Sequence, residues 1–354
     1  GIQGPPADRD GVLFATPGVV QLLDPATGEV AWTRTGLPHV TEWIGDGDVV
    51  CGCTADGVGC PVLSACDGRL IQRIDLPNRR QRMAAFGRRV VAVVPLDDRA
   101  VATRVRIEVI DTLDRNRRPL GEYAGESRAT TVGGERLAIC EPDGRLTMVD
   151  GRTGDVAWQV RLPGLSVPPE VFHVTAWQDR YLVYAAFAGP DADETETPLQ
   201  AVLTAGESTR PLPGAVWAVR CDDGQPLWSV PAMVRDAGLH LGQPAGLPLL
   251  VFVRLGRDDG TPRLSLFGLD KRSGHAVLDE RRIEVRPHMF LGCEVVGDPD
   301  AGVITIRGAN DTTRPLTLHY TGRPIAPRPP HQAAPAAMPV PVGPLPALRR
   351  ADGD

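Results

Sequence analysis

The sequence predicts an all-β protein, a β-propeller of four-stranded antiparallel blades, seven in number with eight as the alternative. Three observations lead there. A hairpin motif occurs in near-identical copies, VQLLDPATGEVAW at residues 20–32 and LTMVDGRTGDVAW at residues 146–158, set 126 residues apart. Its anchor positions recur at intervals mostly in the forties, the period of a unit built from several short strands. Among 354 residues, Gly occurs 39 times and Pro 34 times, a composition suited to many strands joined by tight turns rather than to helices.

The hairpin itself is readable residue by residue. Leu146, Met148 and Asp150 alternate with Thr147 and Val149, the period-two pattern of a strand. The turn that follows has the form Asp-x-x-x-Gly, with Asp24 and Gly28, Asp150 and Gly154, and Asp270 and Gly274 in those places. An Asp there accepts a hydrogen bond from the backbone two residues on, and the Gly supplies the positive φ that reverses the chain. Trp32, Trp158 and Trp228 each follow a turn glycine by four residues. A large ring at that fixed place on an outer strand is predicted to cover the edge and pack on a neighbouring copy.

Taken in order, seven copies follow one another. The first holds residues 12–15 and the hairpin ending at Trp32; the second holds 48–51 and 61–66, with Gly68 in a shortened turn before Leu70 and Ile71. The third spans 89–94 and 105–111, with an arginine-rich turn where the others have Asp and Gly. The fourth is 136–140 with the hairpin closed by Trp158. The fifth begins at 181–187 and reaches its hairpin only at 216–228, after an insertion at 188–214 that contains DADETE. The sixth is 249–254 with 264–278, and the seventh is 302–307 with 316–320. Asp24, Cys66, Asp111, Asp150, Cys221, Asp270 and Tyr320 anchor them at spacings of 42, 45, 39, 71, 49 and 50 residues. Cys66 and Cys221 thereby take the Asp position and are predicted to be small buried fillers. The first copy is short at its start and the last lacks a fourth strand. Either the termini share one blade, or the ring includes residues outside this sequence.

The propeller is assigned to residues 1–322. Residues 323–354, rich in Pro and Ala and without periodicity, form a disordered tail or linker. Charged residues make up 23% and the net charge is -6, which gives no nucleic-acid footprint and no polybasic membrane patch. Lys271 is the one lysine, every other side-chain cation bar histidine being arginine. Apolar runs such as residues 249–253 are strand-sized, so no membrane span is expected. The chain starts at Gly1 without an apolar leader and reads as a processed product or an excised part of something longer.

No residue is assigned a catalytic role, and no metal site is assigned. Seven cysteines stand at 51, 53, 60, 66, 140, 221 and 293. Cys51, Cys53, Cys60 and Cys66 fall within sixteen residues, so a metal or redox cluster and a disulfide, with Cys53–Cys60 the best-placed pair, both compete with simple core packing. Acidic pairs such as Asp46 and Asp48, Asp97 and Asp98, and Asp258 and Asp259 lack the spacing and closing Glu of a Ca²⁺ loop, and read as solvated turns. The histidines are scattered singly, and no nucleophile elbow or phosphate loop accompanies them.

The pattern apolar-x-apolar-x-Asp-x-x-x-Gly-x-x-x-Trp resembles the quinoprotein (PQQ-like) propeller repeat across residues 11–322. Residues 241–252 (LGQPAGLPLLVF) and 267–274 (FGLDKRSG) are similar to large bacterial repeat proteins of planctomycete type. Quinoprotein dehydrogenases, as the resemblance implies, hold the quinone against a disulfide between adjacent cysteines, with a stacking tryptophan, a Ca²⁺ and an Asp base. This chain has no adjacent cysteines. The expectation is therefore a non-enzymatic scaffold for protein–protein interaction, without cofactor, forming one domain of a larger bacterial envelope or extracytoplasmic protein. The propeller lipoprotein of outer-membrane barrel assembly is its nearest likeness in role. The acidic insertion at 188–214 is the expected partner contact. The competing expectations are a PQQ-dependent dehydrogenase and a sensor domain fused to a signalling protein or a protease.

Overall fold

The structure is a computed structural model that describes residues 11–187, 212–284, 293–298, 301–308 and 311–320, apart from loop positions 98, 100, 101, 134, 259 and 260. The described residues contain strands and turns and no helix. Residues 188–211 of the acidic insertion at 188–214 and the Pro/Ala-rich stretch at 323–354 lie outside them. So does the proposed domain boundary at residue 322.

Seven units follow one another. The first is a three-stranded sheet of β1 (Val12–Thr16), β2 (Val19–Leu23) and β3 (Val30–Thr35). The second runs β4 (Val40–Gly45), β5 (Val49–Thr54), β6 (Cys60–Ser64) and β7 (Leu70–Ile74). The third runs β8 (Arg82–Phe86), β9 (Arg89–Pro95), β10 (Arg104–Asp111) and β11 (Arg117–Ala124). The fourth runs β12 (Arg128–Val132), β13 (Arg136–Cys140), β14 (Arg145–Asp150) and β15 (Val156–Arg161). The fifth and sixth are fused into one seven-stranded sheet. It comprises β16 (Val171–Trp177), β17 (Arg180–Ala186), β18 (Leu212–Arg220), β19 (Ala232–Leu239), β20 (Leu249–Asp258), β21 (Thr261–Asp270) and β22 (Ala276–Glu284). The seventh keeps three described strands, β23 (Cys293–Asp298), β24 (Val303–Gly308) and β25 (Asp311–His319). Each pairing is antiparallel with its chain neighbour, the meander expected of propeller blades.

The fusion has a local cause. Just before Trp228 the outer strand of the fifth unit shrinks to a bridge between Val219 and Pro226. The chain then enters β19, which pairs with β18 from Ala232 to Ala237 and passes to β20 at Gly238 and Leu239. One strand thus serves two units.

Packing is between units rather than within them. Leu13, Val20 and Trp32 of the first meet Val50 and Leu63 of the second, and Cys51, Ile44 and Val62 of the second meet Val90, Ala92 and Ile110 of the third. Ile107 and Val109 meet Leu137, Ile139 and Val149; Met148 and Trp158 meet Val183 and Trp217. Val216 meets Phe252 and Leu269, and Leu266 meets Val295, Ile304 and Ile306. The alternation along β14 is resolved by this arrangement. Leu146 and Met148 point to the fifth unit, Val149 to the third, and the strand is covered on both faces. Among the described residues no such cluster joins the seventh unit to the first.

Candidate functional site

The turns that bear the repeat motif line one rim of the structure, and their chemistry is repetitive. Oδ1 of Asp24 accepts from the backbone N–H groups of Ala26 (2.7 Å) and Thr27 (3.3 Å), that of Asp150 from Arg152 and Thr153 (2.8 Å each), and that of Asp270 from Arg272 (2.6 Å) and Ser273 (3.1 Å). These donors, that of Thr153 first, hold the Asp150 carboxyl below its ordinary range. The glycine four residues on closes the turn at positive φ, 72° at Gly28, 73° at Gly154 and 74° at Gly274. Immediately before the turn each of these hairpins carries a register shift, at Leu22/Leu23, Met148/Val149 and Gly268/Leu269.

On this turn the preceding unit lays its tryptophan. A Cβ added to Gly68 would lie 2.6 Å from Trp32 Cε3, one on Gly224 2.5 Å from Trp158 Cε3, and one on Gly274 2.8 Å from Trp228 Cε3. Only a residue without a side chain lets the ring approach so closely. The indole N–H groups then donate to carbonyl oxygens of the same turns: Trp32 to Ala65 (2.8 Å), Trp158 to Cys221 (2.9 Å) and Trp228 to Arg272 (2.9 Å). The rings therefore clasp neighbouring units, as the motif predicts.

Two assignments need correction. The turn-opening position in the second and fifth units is held by Ser64 and Arg220, whose carbonyls accept from Gly68 and Gly224 at 3.0 Å, and not by cysteines. Cys66 is exposed and Cys221 half-buried, so neither is a buried filler; both turns have the full length of the others, and the cysteines lie two residues and one residue inside them. Cys53 and Cys60 are both free. With Cys51 they are fully buried in the core shared by the second and third units. Cys60 Sγ donates to Gly57 O and accepts from the Thr54 N–H, at 3.4 Å each. A hydrogen bond with Cys53, then burial, pushes the Cys51 thiol well above its ordinary value, which disfavours the thiolate that metals and disulfide exchange require. Among the described residues no three of His, Cys, Asp or Glu come together as a ligand set.

The third unit departs from the pattern. The residue four beyond its Asp111 is Arg115, held at a φ of 58° where its sisters have glycine. The position matching the clasping tryptophan in the second unit is Gln72. Gln72 Nε2 donates to Thr112 O (3.0 Å) and Leu113 O (2.6 Å), and its Oε1 accepts from Arg115 Nε at 2.8 Å. A polar clasp has replaced the aromatic one. Beside it opens a recess of about 260 Å³ lined by Arg73, Ile74, Asp75, Arg115 and Arg117. Sequence reasoning singled out the arginine-rich turn but assigned it no role.

A quinone does not fit these residues. The ring faces it would need are spent: Trp32, Trp158 and Trp228 on turn glycines, Trp43 against Gly52, and Trp217 in the core with its N–H on Pro163 O at 3.0 Å. Trp177 is buried and faces Arg180, Lys271 and Arg272, their charged ends 5.6, 5.8 and 6.0 Å from its centroid.

BamB from Moraxella catarrhalis is similar in structure at 15% identity, with a TM-score of 0.43 over 90% of this chain and 84% of that one. Saccharomyces cerevisiae Sqt1 is similar at 10% identity, with a TM-score of 0.44 over 89% and 84%. The β-propeller domain of Myceliophteria thermophila Cps50 (Swd1) is similar at 12% identity, with a TM-score of 0.37 over 85% and 89%. No curated protein matches the sequence. The profile of the family described as outer membrane protein assembly factor BamB matches residues 2–283, so the chain belongs to that family of PQQ-like β-propellers.

Proposed function

We propose that the chain is a non-enzymatic docking scaffold, a propeller domain that binds a protein partner on its turn-bearing rim within a larger extracytoplasmic or envelope protein. One observation carries this reading: the recess on that rim presents guanidinium groups and an aliphatic floor, and contains neither a nucleophile nor an acid–base pair. Such a surface holds and orients another molecule without changing it. Family membership favours the envelope setting. No helix among the described residues is long and apolar enough to cross a membrane.

The test is photo-crosslinking in the native cell. A crosslinking side chain at position 71, where Ile71 is exposed two residues before Arg73 on β7, is expected to trap one protein species. The same group at position 156, where Val156 is exposed on β15, is expected to trap none. Absence of a crosslink from position 71, or dye reduction that depends on added PQQ and Ca²⁺, would overturn the scaffold reading in favour of the dehydrogenase alternative.

A further inference from the structure

The recess between the second and third units is unusual in its charge. Arg73 Nη1 donates to Gly59 O at 3.1 Å, and Arg115 donates through Nε to Gln72 Oε1 at 2.8 Å and through Nη2 to Arg73 O at 3.2 Å. Those acceptors are all neutral. Among the described residues neither guanidinium has a carboxylate within ion-pair distance. Arg117 is different: Nη1 meets the buried Glu108 at 3.2 Å, while Nη2 donates to Asp75 O at 3.0 Å. Asp75, the single carboxylate lining the recess, has Oδ1 engaged by the Gly59 N–H at 2.8 Å. Neither of these two guanidiniums is ion-paired, and three arginines against Asp75 and Glu108 leave the recess net positive; each of the two is fixed in place by backbone or amide oxygens and keeps further N–H donors free.

The chain bears a cost to hold one of them there. A left-handed backbone is unfavourable for a side chain as large as arginine, and the equivalent turns use glycine. Arg73 has exposed apolar neighbours. Ile71 lies two residues before Arg73 on β7, and Val58 adjoins Gly59; both are exposed, at 41% and 64%. A small inorganic anion needs the guanidiniums alone. A ligand that also covers Ile71 and Val58 must carry apolar groups between its acids.

We infer that this recess is a binding site for an acidic peptide segment, with carboxylates seated on Arg73 and Arg115 and an intervening apolar side chain over Ile71. The inference rests on the docking reading above and names the chemistry of the partner. Guanidinium–carboxylate pairs of this kind are bidentate, so both position and sequence of the segment are specified.

The probe is a fluorescein-labelled peptide of alternating Asp and Val, with a Lys–Val peptide as control, titrated into the full chain by fluorescence anisotropy. Binding of the Asp–Val peptide alone is expected, weakening with salt. Arg115→Gly, which installs the glycine of the sister turns, and its combination with Arg73→Gln are each expected to weaken it about tenfold or more, as loss of a charge-assisted pair does. Arg118→Gln is expected to leave it unchanged, because Arg118 faces away toward Asp155 (2.9 Å). Circular dichroism of each variant reports its folding. Equal affinity in wild type and variants, or no binding by wild type, overturns the site; so does displacement of the peptide by inorganic phosphate at matched concentration. A chain that crosslinks a partner from position 71 yet ignores the peptide refutes this site and leaves the scaffold reading standing. One that binds the peptide but never crosslinks does the reverse.

Discussion

Lys271 shows how far a single residue can sit from its preferred surroundings. It is 1% exposed, its Nζ reaches only Ala245 O at 3.5 Å, and the ring of Trp177 lies 5.8 Å away. Burial pulls its pKa down from 10.5 to about 8. The sign follows from proton counting. Between the folded value of about 8 and the unfolded value of 10.5 the unfolded chain binds more protons, so stability rises with pH through that window. Below it the ammonium is charged in both states and the burial cost stands in full, roughly 3 kcal/mol at most. Lys271→Met fills the same space without a charge. It is expected to raise the urea midpoint at neutral pH and to remove the rise across the window. Comparing wild type and variant by urea denaturation on either side of it isolates this residue from other titrating groups. A variant less stable than wild type at neutral pH would show that the cation–π contact outweighs desolvation.

At the scale of the element, the unit of construction is a clasp laid by one unit on the turn of the next, and it comes in three chemistries, one of them the aliphatic contact of Leu120 on Gly154. The aromatic form couples Trp32 to Gly68, Trp158 to Gly224 and Trp228 to Gly274. The polar form couples Gln72 to Arg115. Gln72→Trp alone drives an indole into a guanidinium, and Arg115→Gly alone leaves Gln72 Oε1 without its donor. Each single variant is expected to lose stability, by about 1 kcal/mol for the latter. The double variant restores the aromatic form and is expected to be more stable than either, with a coupling on the order of 1 kcal/mol in a double-mutant cycle of thermal or urea unfolding. Additive effects would mean that the two positions are not a pair. Much of this was open to sequence reasoning, because hairpin motifs combine alternation, an Asp–Gly turn and a tryptophan in one short window. The inner strands were not: β8 (RMAAF) and β12 (RATTV) are short and show little alternation, and β4 mixes Thr and Glu with Trp. The recess escaped for another reason. Gln72 and Arg115 are 43 residues apart, and the available signal was the simultaneous loss of the Trp and the Gly from the corresponding places in consecutive units.

At the scale of the whole molecule, burial comes from neighbouring units. Every interior unit is covered by a neighbour on each side, so its strands read as apolar on both faces; Val91 and Ala92 of β9 are both inaccessible yet belong to different clusters. The first unit is covered on one side only among the described residues. Val20 is fully buried against the second unit, while Val12, Phe14 and Val30 are 40%, 47% and 50% exposed, and Gly28 has nothing within 4 Å where Gly68, Gly154, Gly224 and Gly274 each meet a side chain of the preceding unit. Stability in such an array is a sum of unit and interface contributions, and a unit with one interface opens more readily than a unit with two. Native-state hydrogen exchange read by mass spectrometry is expected to show the amides of β1, β2 and β3 exchanging well ahead of those of β13 and β14. Trp158→Ala, which weakens the interface between fourth and fifth units by roughly 3–5 kcal/mol, is expected to narrow that difference from the slow side. Equal protection of β2 and β14 in wild type would place a cover on Phe14 in solution and make the first unit an interior one, closing the array into a ring whose stability is shared by every blade.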